Sequence, residues 1–402
     1  MGQTAVLVVV AAAWLLACAG AVGADVTMGG HDVMVVISYN DLGMHCMNQD
    51  FSEFMILPPF NTLHAQVILR SGVHPQIVTN GVTVSYSIPT NTHSWDKTNF
   101  WVWCPDLLGV SLPDDIGLTG NGLWGTMTPT AWGDWCATGI PITPINDAGL
   151  EDPYNLATVV VSAGARELAR THAVVPVSWE ISCWLCHNGS DAPASVLDAH
   201  DRLHGTSLYS RYTDQGKPVL CGGCHQQPEL GALAPGTPGV TTLSGAMHTA
   251  HASRMDDVLA MMPGGVSCYA CHPGMETQCL RDVHYQKNMT CVDCHASMEG
   301  VGSPDRRPWV DLPSCGGCHH KPGSQYEQSG TLYRNSKGHG GVYCEACHGT
   351  PHAVTPTVVQ ADNIQAIELQ GHAGAISDCT VCHLVKPRNA FGHRWARKGR
   401  TT

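Results

Sequence analysis

The chain has 402 residues, 43% of them hydrophobic, and a formal net charge of −12, so it is long enough for more than one domain. That acidic balance excludes nucleic acid as an expected partner. Its 19 cysteines are more than a cytosolic protein keeps, which points to an exported chain.

Residues 1–24 carry a short apolar run, Val6 to Ala24, ending in the small residues Val22-Gly23-Ala24. A signal peptide cleaved before Asp25 is expected, and with it a periplasmic, outer cell-surface or extracellular location. The leading Met-Gly-Gln-Thr lacks Lys and Arg, and Leu15-Leu16-Ala17-Cys18 offers a lipoprotein-type alternative. Membrane association is expected only if Cys18 is lipidated. Small residues interrupt the run and charged flanks are missing, which disfavours a spanning anchor.

Residues 25–182 read as a β-rich, sandwich-like domain. Val82, Val84, Tyr86 and Ile88 alternate with period two, β-branched runs occupy Val33 to Ile37 and Thr158 to Val161, and Ala173 to Val177 leads into the next segment. Turn residues such as Asn80-Gly81 and Pro58-Pro59 separate the pieces.

From residue 183 to 402 one pattern recurs. Cys-x-x-Cys-His stands at Cys183-Cys186-His187, Cys221-Cys224-His225, Cys268-Cys271-His272, Cys291-Cys294-His295, Cys315-Cys318-His319, Cys344-Cys347-His348 and Cys379-Cys382-His383. Two thiols a short loop apart can each add to one vinyl group on a haem edge, and the adjacent histidine reaches the iron. A zinc reading would need paired Cys-x-x-Cys units at regular separation, whereas every copy here carries its own histidine and the gaps are irregular. Seven c-type haems are therefore expected in about 220 residues, a segment rich in Gly and Pro and nearly without Phe. Porphyrin planes would supply most of its buried apolar surface, wrapped by short helices and loops, and the apo segment would be largely unfolded. The motif histidines His272, His295 and His319 are 23 and 24 residues apart, so those three sites are expected to cluster most tightly.

A filled sixth position on each iron favours electron transfer and an open one favours small-molecule chemistry. Second ligands are expected from His200, His204, His248, His251, His339, His352, His372 and His393; His200/His204 and His248/His251 have the spacing of one helix face. His172, His284 and His320 read instead as surface or hydrogen-bonding residues, and Met255, Met261 and Met289 as apolar filler.

The stretch Cys268-Tyr269-Ala270-Cys271-His272-Pro273-Gly274, followed by Thr277-Gln278-Cys279-Leu280-Arg281-Asp282 and the motif at Cys291, resembles the secreted multihaem cytochromes of metal-reducing bacteria. Asn40-Asp41-Leu42-Gly43-Met44-His45-Cys46-Met47-Asn48 resembles the opening of β-rich N-terminal domains found on such proteins. The likeness covers most of the chain and implies bis-histidine haems in a chain, passing respiratory electrons to redox partner proteins or extracellular acceptors. Some members polymerise, which leaves self-association open. The alternative is a multihaem reductase of a small nitrogen or sulfur oxyanion with one open haem. Relatives of the nitrite and tetrathionate reductases replace one motif histidine by lysine, and all seven motifs here end in histidine. No catalytic residue is therefore assigned.

Cys46, Cys104, Cys136 and Cys279 lie outside the motifs, and disulfides among them are expected in an oxidising compartment, with three pairings open. Met44-His45-Cys46-Met47 holds copper-type ligands, but neighbouring residues on a strand point to opposite faces. His45 is left either to reach a haem or to pack. Residues 1–165 hold 2 Lys/Arg against 13 Asp/Glu, while residues 166–402 hold 19 against 20. An acidic redox partner would have to use a local basic patch such as Arg394, Arg397, Lys398 and Arg400.

Overall fold

The computed structural model describes residues 33–71, 74–187, 191–255, 258, 262–320 and 327–388. The leader over residues 1–24 with Cys18, Met261, His393 and the basic residues Arg394, Arg397, Lys398 and Arg400 lie outside the described residues.

The fold is mixed, with a β-rich N-terminal region. In one sheet β1 (Val33–Asn40) pairs antiparallel with β4 (Leu63–Arg70), which also borders β5 (Gln76–Val78) and β9 (Trp135–Ala137); β8 (Thr128–Pro129) flanks β9. The other sheet runs β2 (His45–Cys46), β11 (Arg166–Ser178), β10 (Tyr154–Ala163), β6 (Thr83–Ser87), β7 (Trp124–Thr126), with β2 parallel to β11. Alternation sends Met34 and Val36 inward to meet Val84, Tyr86, Val159, Val161, Val175 and Val177 of the second sheet in one core. Helix α1 (Phe100–Leu108) adds Phe100 and Cys104 to that core and stops at Gly109, whose φ of 69° lets its N–H return to the Pro105 carbonyl.

The opposite face of β1 is also covered. Val35, Ile37 and Tyr39, with Ile68 of β4, pack against Tyr343, Ala346 and Val381, which belong to the segments of the sixth and seventh Cys-x-x-Cys-His motifs. That two-sided burial explains why β1 reads as a nearly continuous apolar run. The short strand β12 (Val219–Leu220) pairs parallel with β3 (Phe54–Met55), so the second motif is also anchored on the β region.

Beyond Ser178 the described helices are short. They include α2 (Ala192–His204), α3 (Leu208–Thr213), α4 (Leu243–Ala252), α5 (Cys291–His295), α6 (Met298–Val301), α7 (Cys344–His348) and α8 (Gln360–Gln370). Their apolar clusters are small: Met255, Val258, Met262, Tyr269 and Ala270 in one, Phe54, Leu197 and Val219 in another. Among the described residues no helix is long and apolar enough to cross a membrane.

Polar side chains lock the two halves together. The Gln365 amide takes the Ser38 N–H at 2.7 Å and donates to the Ser38 carbonyl at 2.9 Å, copying a strand neighbour. Gln66 receives the Tyr343 N–H at 2.8 Å. The Glu180 carboxylate accepts the backbone N–H groups of Gly274, Met275, Glu276 and Thr277. Arg281, 1% exposed, is gripped by Asp362 at 2.6 and 3.0 Å, donates to the Gly43 carbonyl at 2.9 Å and lies 5.0 Å from the centre of the Tyr154 ring.

Candidate metal centres

Each motif folds as a tight turn or a single helical turn in which the histidine N–H or its neighbour returns to the first cysteine. At His187, His225, His272, His319 and His383 the histidine N–H donates to the carbonyl of the first motif cysteine at 2.8–3.0 Å. This local bond fixes the histidine on the same side of the turn each time and leaves its ring to project.

What the rings project towards is the central observation. His187 faces His251 with ring centroids 6.4 Å apart, His225 faces His200 at 6.2 Å and His272 faces His248 at 6.1 Å. His319 faces His284 at 6.2 Å, His295 faces His352 at 6.0 Å and His383 faces His339 at 6.0 Å. A metal–imidazole bond of about 2.0 Å, with roughly 1.1 Å from nitrogen to ring centre, would set two trans imidazoles on one ion roughly 6.2 Å apart. Six motif histidines thus stand opposite a second histidine at the span of one six-coordinate ion.

The outer ring nitrogens are engaged in the way ligand histidines require, since a bond at Nδ1 fixes the tautomer and leaves Nε2 for a metal. Nδ1 meets the Ser244 carbonyl at 2.7 Å in His248, the Met247 carbonyl at 2.7 Å in His251 and the Thr241 carbonyl at 2.9 Å in His225. In His200 it meets the Thr206 hydroxyl at 2.9 Å, and in His284 the Asp282 carboxylate at 2.9 Å. His352 places Nδ1 3.9 Å from the Cys279 sulfur. Burial and then the neighbouring imidazoles lower His272 to about 4, and burial followed by His295 does the same for His352. Both rings therefore stay neutral, the form that ligates.

Local sequence explains several of these placements. Helix α4 begins at Thr242, whose hydroxyl accepts the Gly245 N–H at 3.2 Å, and it carries His248 and His251 to two different motifs, the third and the first. Helix α2, capped by Asp191 and closed by Gly205 at φ 65°, carries His200. His352 is held by its backbone: the Arg281 N–H donates to its carbonyl at 2.9 Å. The loop before it crosses so close to Gly43, at φ 79°, that a Cβ there would run into the Pro351 carbonyl oxygen.

Thiols show which motifs adjoin. After the rise that burial imposes, Cys183 raises the thiol of Cys221, and Cys183 with Cys186 raises that of Cys271. The Cys268 and Cys291 thiols share a hydrogen bond. Cys318 acts on Cys294, Cys344 on Cys315 behind Glu327, and Cys382 on Cys347. The motifs therefore follow one another in space in the order Cys221, Cys183, Cys268, Cys291, Cys315, Cys344, Cys379, with the first two exchanged relative to the sequence. The third and fourth motifs adjoin, with His272 within electrostatic reach of His248, His295 and His352, and the fifth joins through Cys294 and Cys318.

Of the second ligands expected from spacing, His200, His248, His251, His339 and His352 face a motif histidine. His204 lies against His200, 4.8 Å away, and His372 places Nδ1 2.9 Å from the Ala373 carbonyl, the arrangement seen at His248 and His251. His284, which spacing had assigned to the surface, faces His319. His172 rests on Glu368 at 2.9 Å. His45 points into the β region, where its Nε2 lies 3.3 Å from the Asn40 amide nitrogen. Met255 is apolar filler in a buried cluster. The cysteines outside the motifs stand as thiols: Cys104 in the apolar core, pushed up to about 12 by burial, Cys136 3.9 Å from His64, and Cys46 within electrostatic reach of Cys279. The expected disulfides are not formed in this structure.

Among the described residues no group of three or more His, Cys, Asp or Glu converges to hold an ion. Each pair could supply two donors to one ion, and the remaining positions would need another group. A porphyrin fits that division, with two motif thiols beside each pair to hold its edge. Comparison with protein-family models, curated proteins and solved structures finds no match for the chain.

Proposed function

We propose that this chain is an exported electron-transfer protein that binds seven c-type haems covalently and passes electrons along them, without bond-making chemistry of its own. The observation that carries the reading is the set of six opposed histidine pairs at 6.0–6.4 Å, each beside a Cys-x-x-Cys. Bound there, each haem supplies a reversible one-electron change at iron.

The residues have separate tasks. Cys183 and Cys186, and their counterparts in the other motifs, hold the macrocycle edge through thioether bonds. The motif histidine would hold one side of the iron and the opposed histidine the other, which would keep water, nitrite or carbon monoxide from binding. Nδ1 bonds to carbonyl, hydroxyl and carboxylate groups fix ring orientation, so little rearranges when the charge changes. Neighbouring motifs would place the sites in a file whose ends are the motifs of His225 and His383. The β region braces that file, with sheet residues Val35, Ile37 and Tyr39 against the sixth and seventh motif segments and β3 against the second.

Reductive titration of the purified protein tests the reading. Seven electrons per chain, returned in full on reoxidation and with no consumption of nitrite, hydroxylamine or tetrathionate, is the expected result. Fewer than seven haems by alkaline pyridine spectroscopy, or turnover of any of these oxyanions, would count against it.

A further inference from the structure

The outer nitrogens of the paired histidines do not all meet the same kind of group. His248, His251 and His225 turn Nδ1 to backbone carbonyls, His200 to a hydroxyl and His352 to a sulfur. His284 turns Nδ1 to the carboxylate of Asp282 at 2.9 Å. Asp282 is 2% exposed, and its other oxygen accepts the N–H groups of His284 at 2.8 Å and Tyr285 at 3.1 Å, so the carboxylate is fixed in place. The adjacent Arg281 does not compensate it there, because its guanidinium is committed to Asp362.

From this contrast we infer that Asp282 is a positioning and tuning residue that gives the haem site of Cys315, Cys318, His319 and His284 a lower reduction potential than the sites whose second histidine meets a neutral group. The inference rests on the haem reading above. A hydrogen bond from Nδ1–H to a buried carboxylate raises the basicity of the imidazole and favours the more positively charged oxidised metal, whereas a carbonyl, hydroxyl or sulfur does so less. No bond forms or breaks: one electron enters or leaves, and the fixed negative charge sets how readily.

Position gives the difference a consequence. The Cys315 site is fifth in the file, between the Cys291 and Cys344 sites. A low potential there makes an uphill step inside the file, separating four sites on the His225 side from two on the His383 side. Electrons loaded from either end would equilibrate within their own group first and cross the Cys315 site more slowly.

Potentiometric titration of the full-length, haem-loaded protein, followed optically and by electron paramagnetic resonance, compares wild type with Asp282→Asn and Asp282→Glu. Asparagine keeps an oxygen for the His284 and Tyr285 N–H groups and removes the charge; glutamate keeps the charge. Asp282→Asn should move one low-potential component upward and leave the other six nearly unchanged, while Asp282→Glu stays nearer to wild type. Superimposable titrations, or a uniform shift of all seven, would overturn the inference. So would a new high-spin signal in place of the potential shift, since Asp282 would then only hold the ring. A wild-type protein that does not titrate as seven one-electron centres would instead overturn the haem reading itself, so the two failures are separable.

Discussion

Replacing Asp362 by alanine should destabilise the protein by roughly 3–5 kcal/mol, because it strands the Arg281 guanidinium in a site that is 1% exposed. The wild-type pair is bidentate at 2.6 and 3.0 Å, and both partners are buried. What remains after the substitution is the Gly43 carbonyl at 2.9 Å, the Cys279 carbonyl at 3.2 Å and the Tyr154 ring at 5.0 Å. A desolvated cation–ring contact contributes about 2 kcal/mol and two neutral acceptors do not replace a carboxylate, so the net loss stays large. The double variant Arg281→Met with Asp362→Leu removes both charges and should recover most of the loss, since replacing a buried ion pair by apolar side chains is often close to neutral. Urea unfolding of the haem-loaded protein, followed by far-ultraviolet circular dichroism, measures both. A single-variant loss below about 1 kcal/mol, or a double variant as unstable as the single one, would refute the reasoning.

Other consequences follow from the ligand geometry. His284→Ala should convert one of the seven sites from low spin to high spin, whereas His204→Ala should convert none, because His204 lies against His200 and not against a motif histidine. His248→Ala and His251→Ala lie three residues apart on α4 but should each open a different site, those of His272 and His187, and the double variant should open two. Glu53 is raised from 4.5 to about 7 by burial, with Asp50 and Asp191 adding to the rise. Its folded form binds the proton more tightly than the unfolded chain, so its contribution to stability is fully present below pH 4.5 and falls as pH rises towards about 7. Glu53→Gln should flatten the stability profile across that window; an unchanged slope would place the titration elsewhere.

How much of this was legible in the sequence depends on how local the cause was. The motifs are local chemistry and were visible at once. His200, His248, His251, His339 and His352 were legible because helix spacing or proximity to a motif marks them. His284 was not, because Asp282-Val283-His284 looks like an ordinary turn, and what brings its ring to His319 is a fold that holds Arg281, Val283 and the His352 loop together across long sequence separation. Spacing between motifs suggested the Cys268, Cys291 and Cys315 cluster but could not reveal that the first two motifs exchange places, since α4 and β12 decide that at a distance.

The β region shows the same division. The alternating and β-branched runs lie in β1, β6, β10 and β11. The central strand β4 is hidden because Leu63–Arg70 is buried on both faces, so that the alternation of Leu63 to Val67 breaks down in the run Val67-Ile68-Leu69. Helix α1 was hidden by its aromatic, proline-containing sequence; Pro105 is accepted inside a helix of 9 residues because Phe100, Trp101 and Cys104 are buried in the core.

The central proposal is that opposed histidine pairs close the haem irons. Electron paramagnetic resonance of the oxidised, purified protein, before and after addition of nitrite, hydroxylamine and, in the reduced state with optical detection, carbon monoxide, tests it most directly. Seven low-spin sites that bind none of these molecules is the predicted result; a high-spin signal that shifts with any of them would mean an open site and contradict the account.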